Sequence, residues 1–275
     1  MINVDLTINT DVAHRILAAF IRSEVTRVGF SRAVIALSGG IDSALSFALT
    51  VEALGKENVL AVRMPYRSSS SDSLEHAEML INRFGTQSET VEITGMVEPF
   101  FAMDPEMSKQ RKGNIMARQR MIVLYDRSET FKGLVIGTSN KTEILLGYTT
   151  LWGDMASALN PIGDLYKTQV RQLSRALSIP SVIIDKAPTA DLWMGQTDEG
   201  ELGFSYQEVD KLLYLLVDQR YSVQECIEEG FDEKFVHLVM NRVRRHQFKR
   251  MLPPIAKLSN RTIGYDFLYL RDWGT

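Results

Sequence analysis

A chain of 275 residues, 45% apolar and 24% charged, has the profile of one soluble globular domain that builds its core without disulfide or metal staples. Its 34 acidic and 31 basic side chains leave a net charge of −3, which argues against a general nucleic-acid binder, and a lone cysteine, Cys226, excludes a disulfide framework or a Cys-rich zinc site. No apolar run is long enough to span a bilayer and Met1–Asp11 lacks the regions of a secretory signal, so the expectation is a cytoplasmic protein with no membrane contact.

Residues 11–28 place Val12, Ile16, Ala19, Phe20 and Val28 at helical spacing behind Asp11, a candidate cap. Arg32–Leu37 reads as a buried strand that runs through Ser38-Gly39-Gly40 into a helix from Ile41 to about Leu54. Asn58–Met64 predicts a second strand, Asp72–Phe84 a helix and Thr90–Ile93 a third strand. A helix over Asn114–Phe131 and a strand over Leu134–Ile136 follow, then helices over Leu165–Leu177, Tyr206–Val217 and Phe235–Phe248. Strands alternating with helices predict an α/β fold of three layers, a parallel sheet with helices on both faces.

Two stretches read as solvated loops or as lids over a site: 66–73, with five serines, and 185–210, with seven acids, three glycines and one lysine. Residues 234–261 carry eight Lys and Arg and no acid. Such a basic segment suits a small polyanion or a charged outer helix face.

The strongest chemical signal is Ser38-Gly39-Gly40-Ile41-Asp42-Ser43, set between a buried strand and a helix. Two glycines admit positive φ and close approach of a ligand to the backbone. Free N–H groups at a helix start attract an anion, and Ser38 and Ser43 add hydroxyls. Asp42 would repel bare phosphate, which implies a cation between them. An ordinary turn capping a helix is the competing account of these residue types. Walker A fails because Gly55-Lys56 is followed by Glu57, and no Gly-x-Gly-x-x-Gly occurs.

Ser38–Ser43 resembles the signature of the PP-loop, or N-type ATP pyrophosphatase, superfamily, whose members split ATP between the α- and β-phosphates. The strings Gly137–Glu143, Gly147-Tyr148, Gly153-Asp154, Asp164–Val170 and Pro188–Leu192 narrow the resemblance to the NAD synthetase family. It extends from residue 33 to about 250. It implies a single synthetase domain over 1–275 and ATP-dependent amidation of deamido-NAD to NAD with ammonia, through an acyl-adenylate, releasing AMP and pyrophosphate. The alternative is another PP-loop amidating ligase, GMP-synthetase-like or tRNA-modifying.

By the same resemblance, Ser38, Gly39, Gly40, Asp42, Ser43, Arg63, Thr138, Lys167 and Thr189 bind ATP, and Asp42 and Glu143 hold magnesium. Asp42, Lys167 and Asp154 are the catalytic candidates, and Arg118, Tyr148, Trp152 and Lys249 those for deamido-NAD. Plainer readings compete: a solvated lysine at 167, a first-turn helix acid at 143, a salt-bridge partner at Arg63, core packing for Trp152. The resemblance also implies a homodimer. The 114–131 helix carries apolar residues around its circumference, among them Met116, Met121, Ile122 and Tyr125, more than one core face requires, which supports it.

Three positions depart from the stand-alone ammonia-dependent pattern: Leu151 for a lysine, Ala158 for an aspartate and Phe248 for a histidine. Residues 147–155 look closer to the synthetase half of glutamine-dependent enzymes, so a separate glutaminase is a candidate partner. Cys226, among Glu225, Glu228 and Glu229, reads as a buried or incidental thiol rather than a glutaminase nucleophile. His14 and His76 read as surface residues, and His237 and His246 form no metal cluster.

Overall fold

The computed structural model describes residues 4–189, 191–193 and 195–268. Helix α1 (Thr10–Arg27) leads into β1 (Ala33–Ala36), α2 (Ile41–Leu54) and β2 (Val59–Arg63). Then come α3 (Ser71–Phe84), β3 (Gln87–Thr90), α4 (Thr94–Ala102), α5 (Lys109–Phe131) and β4 (Leu134–Ile136). The strands form one sheet in the order β3-β2-β1-β4, every pair parallel, with Ala33 opposite both Val59 and Leu134.

Alternation along β1 separates two cores. Ala33 and Ile35 pack with apolar residues of α1, α2 and the later helix α7 (Lys167–Ala176), whereas Val34 packs with α4 and α5 residues such as Val97 and Val123. Helices therefore cover both faces, the expected three layers. Helix α2 is apolar nearly all round because it lies between the sheet and α1, with Leu45, Phe47 and Leu49 fully buried.

A third core lies beyond the sheet. It unites α6 (Lys141–Leu146), α9 (Asp198–Leu202), α10 (Tyr206–Leu213), α11 (Val223–Glu228) and α12 (Glu233–Arg245). The short α8 (Ser181–Ile184) instead joins the first core.

Several local expectations change. The cap of α1 is Asn9, whose Oδ1 accepts the Val12 N–H at 3.0 Å, rather than Asp11. The third strand lies at Gln87–Thr90, not 90–93: Gln87 and Ser88 are exposed on the sheet edge, so no apolar run marks them. Ser108 starts α5 five residues early, accepting the Arg111 N–H at 3.4 Å. The helix from Tyr206 loosens into a π-turn over Tyr214–Asp218.

The 185–210 stretch is not the solvated loop that its acids suggested. It holds α9 and the start of α10, and Asp198 and Asp210 are buried. His76 is buried rather than on the surface, and around α5 Met116 is buried while Ile122 and Tyr125 are exposed. Cys226 is a buried free thiol.

Candidate active site

Loop 38–43 sits at the carboxyl end of β1, where a parallel sheet opens toward a ligand. The loop ties itself: the Ser38 and Ser43 hydroxyls lie 3.0 Å apart, Ser43 Oγ donates to Gly40 O at 2.9 Å, and Gly40 N–H donates to Ser38 Oγ at 3.3 Å. Its two glycines divide the work. Gly39 has φ +78 and lies against the backbone of Ser73, where a Cβ would come within 2.1 Å of the carbonyl oxygen. Gly40 has φ −87, begins α2 and faces the cavity.

That cavity encloses about 730 Å³. Ser38, Gly40, Asp42, Ser43, Arg63, Thr138, Glu143, Tyr148, Asp154, Lys167, Thr189 and Lys249 all line it. Gly39, Arg118 and Trp152 do not. Gly39 backs the loop, Arg118 is exposed with its Nε on Leu151 O at 3.3 Å, and Trp152 is 49% exposed rather than core-packed.

The centre is Lys167, only 2% exposed. It is no solvated lysine. Its Nζ donates to Asp42 Oδ2 at 2.5 Å and to Glu143 Oε1 at 3.0 Å, joining the amino ends of α2, α6 and α7. Burial opposes the ammonium charge, yet Asp42 and Glu143 outweigh it and push the lysine pKa up. Burial also pushes Glu143 up, because one ammonium shared among several acids only partly offsets it. Glu143 is a first-turn acid as well: it forms a reciprocal capping box with Asn140.

Sequence reasoning overlooked the residues that hold this bridge. Asn140, fully buried, donates from Nδ2 to Asp42 Oδ1 at 2.8 Å. Asp210 accepts the Thr142 hydroxyl at 2.6 Å and the Thr168 N–H at 2.8 Å, and Thr142 Oγ1 accepts the Lys167 N–H at 3.0 Å. One buried carboxylate thus clamps α6 to α7. An Asn three residues before Glu143 was a legible cap signal, whereas nothing local links position 210 to 142.

Toward the other end, Asp154 Oδ1 accepts the Thr150 N–H at 2.7 Å. Asp154 is exposed to the cavity; the surrounding protein raises its pKa by desolvation, and the hydrogen bonds from Thr150 partly offset the rise. Lys249 donates to Gly147 O at 2.7 Å and Thr149 O at 2.6 Å. Arg63 is the salt-bridge partner of Glu78 and also lines the cavity. Arg120, unmarked by sequence, enters the cavity with its Nε on Met64 O at 3.0 Å.

Asp42 and Glu143 supply two hard oxygen donors beside an anion loop, which fits magnesium completed by phosphate oxygens and water. Among the described residues no group of three or more acids, histidines or cysteines forms a full protein cage. An ion here therefore needs the phosphates.

A phosphate-type loop at the end of the first parallel strand, facing a buried lysine, defines an α/β protein of the PP-loop fold. The family model described as NAD synthase matches residues 13–253. The NH(3)-dependent NAD(+) synthetase of Chlorobium phaeovibrioides is 56% identical over 269 residues, 98% of this chain and 97% of that protein. Among solved structures, the NH3-dependent NAD synthetase from Campylobacter jejuni has a TM-score of 0.78 at 34% identity, covering 91% of this chain and 100% of that one. The NMN synthetase from Francisella tularensis has a TM-score of 0.82 at 31% identity, covering 92% and 100%. The chain belongs to the NAD synthase family and is a ligase of NAD biosynthesis.

Proposed function

We propose that the enzyme amidates deamido-NAD to NAD with ammonia, ATP activating the nicotinate carboxylate as an acyl-adenylate. The observation that carries this reading is Lys167, buried and held protonated between Asp42 of the phosphate loop and Glu143. A fixed cation beside the phosphates stabilises charge that develops on departing pyrophosphate. Asp42 and Glu143 would hold magnesium, which supplies further positive charge to the triphosphate when bound. In this reading Gly40 and the Ser38 and Ser43 hydroxyls would position the phosphates, and Arg63, Thr138 and Thr189, which line the same cavity, would contact the rest of the ATP. Tyr148, Asp154 and Lys249, which line the cavity, would take the nicotinate substrate, and Arg118 and Trp152, both exposed, would complete that contact. Ammonia needs little activation, so positioning carries most of the rate.

The curated relative of matching length is named for ammonia, which favours free ammonia here despite Leu151, Ala158 and Phe248. A separate glutaminase remains a candidate supplier in the cytoplasm, and the chain acts as one synthetase domain. Segments 66–73 and 185–210 act as lids. In their favour, Ser70 N–H donates to Asp191 Oδ2 at 3.1 Å and Lys186 Nζ to Ser73 Oγ at 3.0 Å, tying the two segments beside the cavity. A homodimer would cover the exposed Ile122 and Tyr125 of α5 with Phe100 and Met103.

The test is pyrophosphate release from Mg-ATP and ammonium with three acceptors: deamido-NAD, nicotinate mononucleotide and xanthosine monophosphate. Turnover should be fastest with deamido-NAD. Preference for the mononucleotide would move the reading to the activity named for the Francisella protein, and preference for xanthosine monophosphate to a GMP-synthetase-like ligase.

A further inference from the structure

One acid on the cavity wall has no part in the phosphate loop or in the Asp42–Glu143 pair. Asp198, the first residue of α9, is only 4% exposed. Its Oδ2 accepts the Tyr206 hydroxyl at 3.0 Å, and its Oδ1 is buried with no hydrogen-bond partner. A buried carboxylate oxygen left unpaired is costly unless a ligand completes it.

The neighbours define what that ligand is. The Tyr148 hydroxyl lies close enough to favour the carboxylate's charge, but its proton goes to Glu201 Oε2 at 2.7 Å. What Tyr148 offers is therefore an oxygen lone pair. Glu201 is engaged on its other oxygen by Gln196 Nε2 at 3.1 Å. The Tyr206 ring face is taken by Lys167 Nζ, 5.0 Å from its centroid. Asp42 and Glu143 hold that same lysine by direct ion pairs, so its charge favours the Asp198 carboxylate only through space. Beside Asp198 Oδ1, the Tyr148 hydroxyl oxygen and the Glu201 carboxylate present acceptors and negative charge. That setting disfavours phosphate and carboxylate and suits a small group that donates hydrogen bonds.

We infer that Asp198 Oδ1 and the Tyr148 hydroxyl oxygen form a docking subsite for the ammonium ion, the protonated form of the nitrogen substrate. The inference rests on the amidation proposed above and assigns the place where that substrate is captured. Ammonia in neutral water is mostly ammonium, a small tetrahedral cation with donors only. A buried anion with an acceptor beside it concentrates that ion next to the bridge on which the acyl-adenylate would form.

Steady-state kinetics of the full chain test this, with ammonium chloride varied at saturating Mg-ATP and deamido-NAD. Asp198→Asn should raise the KM for ammonium about tenfold or more, the loss of one charge-assisted hydrogen bond, while the KM for ATP moves less than about twofold. Should that variant fail to fold, Tyr148→Phe keeps the ring, removes the acceptor oxygen and should raise the ammonium KM roughly threefold. Potassium chloride should compete with ammonium in the wild type. Unchanged ammonium KM in the folded variants overturns the subsite, as does activation by potassium at saturating ammonium, which would mean a monovalent cofactor site. If the wild type releases no pyrophosphate with deamido-NAD at all, the amidation reading fails first, and visibly so, before any variant is compared.

Discussion

Alanine at position 39 and alanine at position 40 should do different damage. At Gly39 the backbone sits at φ +78, where a side chain costs about 1–2 kcal/mol. The new Cβ would also lie 2.1 Å from the Ser73 carbonyl oxygen, a backbone atom at the start of α3. Ordinary contact requires the two to separate by about 1 Å, an overpacking of roughly 1–3 kcal/mol. The sum, about 2–5 kcal/mol, corresponds to a melting temperature lower by about 5–15 °C in a chain of this size. At Gly40 the φ is −87 and the nearest atom to a new Cβ is Ser38 Oγ at 3.4 Å, so the fold should tolerate the change within about 1 kcal/mol. Gly40 faces the cavity, so Gly40→Ala should instead raise the KM for ATP. Thermal melting paired with ATP titration decides the matter. A Gly39→Ala protein that melts with the wild type, or a Gly40→Ala protein that melts lower than Gly39→Ala, would refute this division.

Asp42→Asn should stay folded, because Glu143 still holds Lys167 at 3.0 Å, yet lose roughly a hundredfold or more in pyrophosphate release; near-normal turnover would remove Asp42 from the phosphate chemistry. Burial pushes the Glu143 carboxyl from 4.5 to about 8, so the folded ligand-free chain binds more protons than the unfolded one across that window. Its stability should therefore fall as pH rises from about 4.5 toward about 8, and Glu143→Gln should flatten the slope; equal slopes in denaturant melts of the two proteins would count against it. Sedimentation at micromolar concentration should show a dimer, and substituting Ile122 and Tyr125 by charged residues should yield monomers; a wild type that sediments as a fully active monomer rejects the α5 interface.

The sheet and its phosphate loop were readable because their signals are local. Ala33–Ala36 is a continuous apolar run feeding Ser38–Ser43, and Leu134–Ile136 is found where the pattern places it. Strand β3 was displaced because Gln87 and Ser88 occupy an edge that burial does not mark. Asp198 and Asp210 looked like charges on a solvated loop because sequence counts charge without seeing enclosure. Both are buried by helices whose third core forms only after residues far apart in the chain have met. For the same reason the pairing of Asp210 with Thr142, 68 positions away, left no trace in spacing. Arg120, rather than Arg118, enters the cavity because α5 turns its neighbours to different faces.

The Lys167 bridge has a consequence for the order in which the protein is made. Asp42 leaves the ribosome 125 residues ahead of the lysine that neutralises it, and Asp210, which clamps the bridge, follows Thr168 by another 42. A nascent chain, or a fragment cut anywhere between these points, carries a phosphate loop whose charge partner has not arrived. The buried site around Lys167 is therefore complete only when residues from 42 to 210 have come together.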